Sequence, residues 1–392
     1  MLLIFWLTFV LLAYTYLGYP ALLLLWRKIA GAKEPVREQL DSSPPRVSVL
    51  VAAHNEAQAI GARLDNLLEQ DYPADRVEII VVSDGSTDAT AEVVEQYRAG
   101  LGEEGSYPEI KLCVCPQRRG KAHALNLGME QALGQIVVFA DCRQRFERNA
   151  VQRLVENFND PAIGGVSGEL LLESDNDSEI GAAMGAYWHY EKWVRKLEAA
   201  TGSVVGATGA IYAIRRQLYR PLPEQTLLDD VLTPIYIVGQ GFRLSFDPSA
   251  KAYDEVSKTL TREWQRKVRT LAGNWQLFSL LKNDFAALCP GFLLRIVSHK
   301  FLRLLGPLFL CSLLLSSLLL ADVGYRLFAL LQLSCYGMAL WAKLHHKGRE
   351  FLPARICLIF VSMNLAAAVG LYALLRGRAG QVWTSASQES GE

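Results

Sequence analysis

The sequence has no excess charge of either sign: 40 Lys and Arg balance 40 Asp and Glu over 392 residues. Bulk electrostatics therefore gives no pull toward nucleic acid, and none is expected as a partner. It has no pair of CxxC motifs, and Cys311, Cys335 and Cys357 lie in apolar C-terminal segments. A disulfide framework is not expected, and the thiols read as reduced and mostly structural. Cys113 and Cys115 share one face of a strand, which is too little for a soft-metal site. No linker is rich enough in Gly or Ser to announce a second soluble domain, and there is no internal repeat. What remains is one large α/β domain plus extra elements, with the apolar residues gathered at the two ends.

Residues 1–26 are almost uninterrupted Leu, Ile, Phe, Val and aromatics without a charge, long enough to cross a bilayer. The run lacks a basic segment before it and a small-residue cleavage site before Arg27 and Lys28, so it reads as a retained anchor rather than a signal peptide. Arg27, Lys28, Lys33 and Arg37 follow, which by the positive-inside rule puts the next segment in the cytosol. Residues 27–45 read as a polar linker. From Arg46 the pattern becomes strand, helix, strand, helix. Strands are expected over 47–53, 77–83, 110–114, 136–139 and 163–172. Each of the first four delivers polar groups where it ends: His54-Asn55-Glu56, Asp84-Gly85-Ser86-Thr87-Asp88, Arg119-Gly120-Lys121 and Asp141. In open α/β sheets ligands bind along that C-terminal edge. Asp141 can also be the cap of a following helix. Arg119 and Lys121 at a Gly-containing helix start suit a diphosphate, or form a solvated pair.

Residues 180–200 form an amphipathic helix in which Met184, Tyr187, Trp188, Glu191 and Trp193 mix aromatics and charge at helical spacing, a stripe that reads as core or as a membrane-facing surface. GATGAIYAIRR, which begins at Gly206 and ends at Arg216, is broken by glycines, among them Gly209, where backbone can approach a substrate closely. Asp229 and Asp230 stand at a helix start, either as N-terminal caps or with one of them a general base for a hydroxyl. Residues 259–282 are a basic amphipathic helix in which Arg262, Arg266, Lys267 and Arg269 lie beside Trp264 and Trp275, suited to a membrane boundary and to a diphosphate. A short apolar stretch at 285–297 reads as interfacial. Spans are expected over 304–321, 327–342 and 356–375, followed by a polar tail over 377–392. The domain plan is thus an anchor (1–26), a linker (27–45), a cytosolic domain (46–258), interfacial helices (259–300), spans (301–376) and the tail.

In their order and spacing, VSVLVAAHNE, VVSDGSTDAT, RRGKAHALNLG, FADCRQ, SGEL, GATGAIYAIRR, TLLDDV and the RKVRT helix resemble the membrane-integrated family-2 glycosyltransferases. This is the group of cellulose synthase, hyaluronan synthase and poly-N-acetylglucosamine synthase. The resemblance covers 46 to about 281 plus the anchor-before, spans-after layout. It implies an A-type glycosyltransferase fold, Rossmann-like with a mostly parallel sheet, in an inner or plasma membrane. It also implies an inverting transfer from a nucleotide-diphosphate sugar, usually a UDP-sugar. Asn55, Glu56 and Asp84 match positions that hold the nucleotide base and ribose, and Lys121 a donor-contacting lysine. Asp141 matches the first carboxylate of a DxD metal motif, and Asp230, beside Asp229, the base of a TED motif. Mg²⁺ or Mn²⁺ is the implied cofactor. Two departures matter. Arg143 stands where DxD has its second Asp, so it can share the charge role at the diphosphate. QxxRW is replaced by Arg266-Lys267-Val268-Arg269-Thr270, so Arg266 and Arg269 remain for the diphosphate while Trp264 or Trp275 must stand in for the acceptor-stacking Trp. The expected acceptor, approached by Gly209, is a growing β-linked polysaccharide or oligosaccharide. Single-sugar transfer to a membrane lipid is the alternative, and a catalytically silent subunit a third. The oligomeric state stays open.

Overall fold

The computed structural model describes residues 1–31, 44–101, 108–173, 179–255 and 260–377. Most of the expected linker and tail, and the side chains of Met184, Tyr187 and Arg262, lie outside the described residues. Helices α1 (Leu2–Ala13) and α2 (Tyr19–Ala30) are joined by a π turn at Tyr14–Gly18. The central sheet follows, with β1 (Val47–Ala53), α3 (Ala57–Leu68), β2 (Val77–Asp84), α4 (Thr90–Gly100), β3 (Glu109–Cys115), α5 (Lys121–Gln131) and β4 (Ile136–Ala140). Next come β5 (Arg145–Phe146), α6 (Ala150–Glu156), β6 (Ile163–Glu173), α7 (Glu179–Thr201), β7 (Ile211–Arg215), α8 (Asp229–Gly239) and β8 (Arg243–Glu255). The chain ends with α9 (Leu260–Leu281), α10 (Pro290–Ile296), the short α11 (Leu302–Leu304), α12 (Gly306–Leu319), α13 (Val323–Leu344), α14 (His346–Glu350) and α15 (Leu352–Leu375).

The eight strands lie in the order β3-β2-β1-β4-β7-β6-β8-β5. β3, β2, β1 and β4 run parallel, and β7 turns the direction by pairing antiparallel with β4 and β6. β1 and β4 are neighbours although two strands separate them in sequence, so the crevice between their C-terminal ends is a switch point of the topology. Alternation along β1 divides the core. Val47, Val49 and Val51 join Ile60 and Leu64 of α3, Val94 of α4 and Leu154 of α6 on one face. Leu50 joins Leu125 of α5 and Leu232 and Ile235 of α8 on the other. A sheet covered on both faces requires strands that are apolar throughout, which is why β1, β2 and β4 read as continuous runs.

β7 and β8 were not legible in the sequence. β8 contains Pro248, which argues against a strand. The structure accommodates it in a bulge: the parallel register jumps from Ser167 opposite Phe246 to Glu169 opposite Lys251. The side chain of the buried Asp247 fills the bulge, accepting from Asn157 Nδ2 at 2.8 Å and from Ser249 N at 2.9 Å.

Among the described residues three helical stretches are long and apolar enough to cross a membrane: 2–30, 323–344 and 352–375. The span expected over 304–321 is instead α12, too short by itself, which meets the 290–304 helix at a bend of 59°. The pair makes a fourth candidate crossing if it counts as one broken span. α9 packs on α15 without room between them. A Cβ on Gly370 of α15 would lie 2.8 Å from Ala272 N and 3.1 Å from Val268 O.

Candidate active site

The polar ends of β1, β2 and β4 meet at the switch point. Asn55 takes a positive φ of 54°, a conformation that Asn tolerates, and its Oδ1 accepts the Thr87 N–H at 2.8 Å. This ties the β1 loop to the β2 loop. Gly85 has φ 60°, and a Cβ there would lie 2.3 Å from Arg118 N, so only glycine fits. Asp84 is buried, and its two oxygens accept the N–H groups of Arg119 at 2.8 Å and Gly120 at 2.7 Å. It therefore sets the loop that starts α5. Arg119 is engaged by Glu224.

Lys121 occupies the first turn of α5, where a cation gains nothing from the helix dipole. Its partners account for its position: Asp141 Oδ1 at 2.9 Å and Asp229 Oδ1 at 3.5 Å. Burial disfavours its charge, yet Asp141, Asp229 and Asp230 outweigh that and hold the ammonium well above its ordinary value. Asp141 caps no helix, since a two-residue strand follows and α6 begins after Asn149. Asp229 and Asp230 also make no side-chain cap to α8. Asp229 receives Lys121 and lies 3.5 Å from the Tyr212 hydroxyl, whose ring stacks on Phe139 at 4.4 Å. Asp230 Oδ2 accepts the N–H of Gly209 at 3.1 Å, and a Cβ on Gly209 would lie 3.1 Å from the same oxygen. Burial and the neighbouring Asp229 push the Asp230 carboxyl up to about 6, against the pull of Lys121 and Lys300.

Arg143, at the second motif position, forms a two-pronged pair with Glu56, Nη2 to Oε1 at 2.9 Å and Nε to Oε2 at 3.0 Å. That hydrogen bond raises the guanidinium above its ordinary value even against burial. Among the described residues no three His, Cys, Asp or Glu side chains converge to hold a metal.

Two cavities meet here. One of about 300 Å³ lies along the sheet edge between His54, Glu56, Asp84, Lys121 and Arg143. The other, about 440 Å³, runs from Asp141 and Asp230 past Arg195 to Lys300, Leu304 and Met363 on the apolar helices. Lys121, Asp141, Gln144 and Arg269 line both. Burial lowers Arg269 from its ordinary value while Asp229, Asp230 and Asp141 act to raise it. Arg266 lines the larger cavity and lies 3.8 Å from Asp254. Neither expected tryptophan lines a cavity. Trp275 donates its indole N–H to Ala367 O at 3.1 Å, turned onto α15. The tryptophan that does line the larger cavity, along with Phe246, is Trp188, on the α7 face that also presents Glu191, Lys192 and Arg195. The sequence reading left that stripe between core and membrane surface. Its spacing of three, four and seven residues is the only signal that could have assigned it to one surface.

The motif-bearing core matches a known family. Residues 48–222 fit the model of glycosyl transferase family 2. The chain carries a family 2 glycosyltransferase domain. It is similar to a protein of Bacillus subtilis described as a probable glycosyltransferase, 29% identical over 247 residues, 59% of this chain and 55% of that one. It is similar also to poly-beta-1,6-N-acetyl-D-glucosamine synthase of Staphylococcus aureus, 25% identical over 246 residues, 62% of this chain and 57% of that one. The chain thus spans a little over half the length of these relatives. Among solved structures, a mannosyltransferase from Pyrobaculum calidifontis in complex with GDP-Man and Mn²⁺ superposes with a TM-score of 0.72 at 24% identity. The match covers 95% of this chain and 99% of that one, and shows that the glycosyltransferase domain and its apolar helices share that fold.

Proposed function

We propose that this membrane protein transfers a sugar, with inversion, from a UDP-sugar to a hydroxyl of a growing β-linked polysaccharide or oligosaccharide. The observation that carries the reading is Asp230. It is a carboxylate raised to about 6, oriented by Gly209 N–H, and it lines the cavity next to the Lys121–Asp141 pair. A base so tuned takes the proton of the acceptor hydroxyl as its oxygen bonds to the anomeric carbon. The bond from that carbon to the diphosphate breaks, and the diphosphate leaves with the electron pair. Lys121, Arg269 and Arg143 surround the place where that charge develops, a cationic setting that favours the leaving group. Asn55, Glu56 and Asp84 form the end of the crevice suited to the base and ribose.

The donor set fits a divalent cation of the Mg²⁺ or Mn²⁺ kind. Asp141 is partly exposed and offers a hard oxygen, and such ions are held by one or two carboxylates with phosphate oxygens and water completing the shell. When bound, the ion supplies Lewis-acid neutralisation of the diphosphate. Asp141 is the residue that would hold it, and Lys121 its neighbour.

A lipid acceptor is the second reading. It is favoured by the course of the larger cavity, which continues to Leu304 and Met363, and by Thr270 at the place of an acceptor-stacking Trp. The catalytic domain is proposed to face the cytosol. Nucleotide release by the full chain in nanodiscs, across UDP- and GDP-sugars, tests the reaction. Release with one sugar, lost in Asp230→Asn, supports it, and release unchanged in that variant overturns the role of Asp230.

A further inference from the structure

The membrane-side half of the larger cavity holds more positive charge than its pairings use. Lys192 is matched by Glu169 at 2.8 Å. His299 and Arg303 are both engaged by Glu191. Arg195 has a neutral partner, Thr208 Oγ1 at 2.7 Å. Lys300 lines the cavity with no hydrogen bond or ion pair to another described residue. Asp230, Glu191 and Glu198 act on this ammonium without touching it, and beside Arg195 at the foot of apolar helices it is costly to keep unless something anionic comes into contact with it.

Its position is built by the backbone. Lys300 belongs to a π turn, Val297–Phe301, a local widening of the helix that occurs often at functional sites. Ser298 of that turn meets the hydroxyl of Tyr14, which opens the other π turn, at 2.8 Å. His299 is clamped by Glu198 at 2.7 Å and by Glu191 at 3.1 Å. The two residues before Lys300 are thus spent on holding the turn against the Tyr14–Gly18 turn and α7. Arg195 reaches the same region from α7, and Thr208, its partner, is followed by Gly209, whose N–H holds Asp230. Charge on Lys300 and on Asp230 acts across this cavity.

We infer that Lys300 and Arg195 form an anion subsite for the acceptor, which carries a phosphate a few bonds from the hydroxyl that faces Asp230. This rests on the proposed transfer from a nucleotide sugar, takes the second reading of its acceptor over the polysaccharide, and deepens it. A phosphodiester headgroup at the membrane surface has this chemistry, and so has a soluble sugar or polyol phosphate. Apolar lining at Leu304 and Met363 favours the lipid, whose chain would leave along them.

The test uses the full chain in nanodiscs, with phosphatidylglycerol or neutral diacylglycerol as the lipid acceptor and sn-glycerol 1-phosphate or glycerol as the soluble one. Faster transfer to the phosphate-bearing member of a pair is expected. Lys300→Gln and Arg195→Gln are expected to raise its KM at least tenfold, with the donor KM moving less than twofold, and Lys300→Arg to recover most of the loss. Rescue by the charge-keeping variant separates a lost anion contact from a damaged fold. A lipid requirement identifies the headgroup as the source, and equal use of the soluble phosphate identifies the free form. Equal use of neutral and phosphate-bearing acceptors, unaffected by either Gln variant, overturns the subsite and leaves the transfer reaction standing. If no acceptor or donor supports nucleotide release, the proposed reaction fails instead. Equilibrium binding of sn-glycerol 1-phosphate then decides the subsite: weakening in Lys300→Gln supports it, and equal or absent binding overturns it.

Discussion

Asp230 and Asp141 are adjacent in the cavity and differ in what each can be asked to do. An ordinary Asp titrates at 3.8 and Asp230 at about 6, so folding favours its protonated form. The cost of its charge is absent below the unfolded value, grows up to about pH 6 and is complete above it. Asp230→Asn is therefore expected to raise stability at pH 7.5 by on the order of 1–3 kcal/mol, read as a higher melting temperature. The same change should lower nucleotide release by roughly 10²–10⁴-fold. Wild-type turnover should fall as pH drops through about 6, where Asp230 takes up its proton. A melting curve that does not move, or a rate flat from pH 5 to 8, would contradict this assignment. For Asp141 the measurement is the metal titration. Chelation is expected to abolish release, Mn²⁺ or Mg²⁺ to restore it, and Asp141→Asn to raise the metal concentration needed by at least tenfold. Release indifferent to chelator would shift the charge role to Arg143, Lys121 and Arg269.

At the scale of elements, the active cavity depends on helices that the sheet does not position. α7 supplies Trp188 and Arg195, α9 supplies Arg269, and the π turn before α11 supplies Lys300. α9 is kept in place by α15, where Gly370 lets the backbones approach and Trp275 donates to Ala367 O. Gly370→Ala should therefore push α9 away from α15, lowering stability by about 1–3 kcal/mol and raising the acceptor KM more than the donor KM. Equal effects on the two constants, or none on melting, would show that α9 is set by the catalytic domain alone. Within the sheet, Glu78 is fully buried and holds Lys111 at 2.7 Å, Leu133 N–H at 2.6 Å and the Ser48 hydroxyl. Burial tends to raise its carboxyl, but these partners lower it below its ordinary value. Its contribution is present above that ordinary value and is lost as pH falls through the lower one, so the chain should soften in acid. Glu78→Gln should flatten the acid limb of a melting temperature against pH curve, and an unchanged limb would exclude Glu78 as its cause.

For the whole molecule, the central claim is orientation. Apolar stretches at both ends bracket a domain whose cavity reaches the apolar helices, so the proposed reaction would bring donor and acceptor together at one level. With the domain on the cytosolic side, protease added to intact cells should leave residues 46–258 whole and should cleave them only after permeabilisation. Cleavage in intact cells would reverse the topology and with it the supply of nucleotide sugar.

Local chemistry was enough to read the strands that end in Asn55, Asp84 and Asp141, because a strand buried on both faces is written as a continuous apolar run and its end as a polar break. Asp229 and Asp230 at a helix start, and the apolar stretches at the two ends, were legible on the same grounds. Partnership was not. The sequence left Asp141, Asp229 and Asp230 as caps or catalytic groups, and only the packed chain shows that they gather about Lys121 and Gly209 N–H instead of capping a helix. Trp264 and Trp275 were named by their nearness to Arg269, but the facing of their helix turns Trp275 onto α15, and it is Trp188 of α7, far from Arg269 in sequence, that lines the cavity. Lys300 sat unremarked among Arg295, His299 and Arg303, because local order does not tell which of these neighbours finds a partner and which faces a cavity. Composition and period determine which segments are strands, helices and spans, since those depend on neighbours a few residues apart. Which side chains share a site depends on crossings between segments hundreds of residues apart, and only the packed molecule decides that.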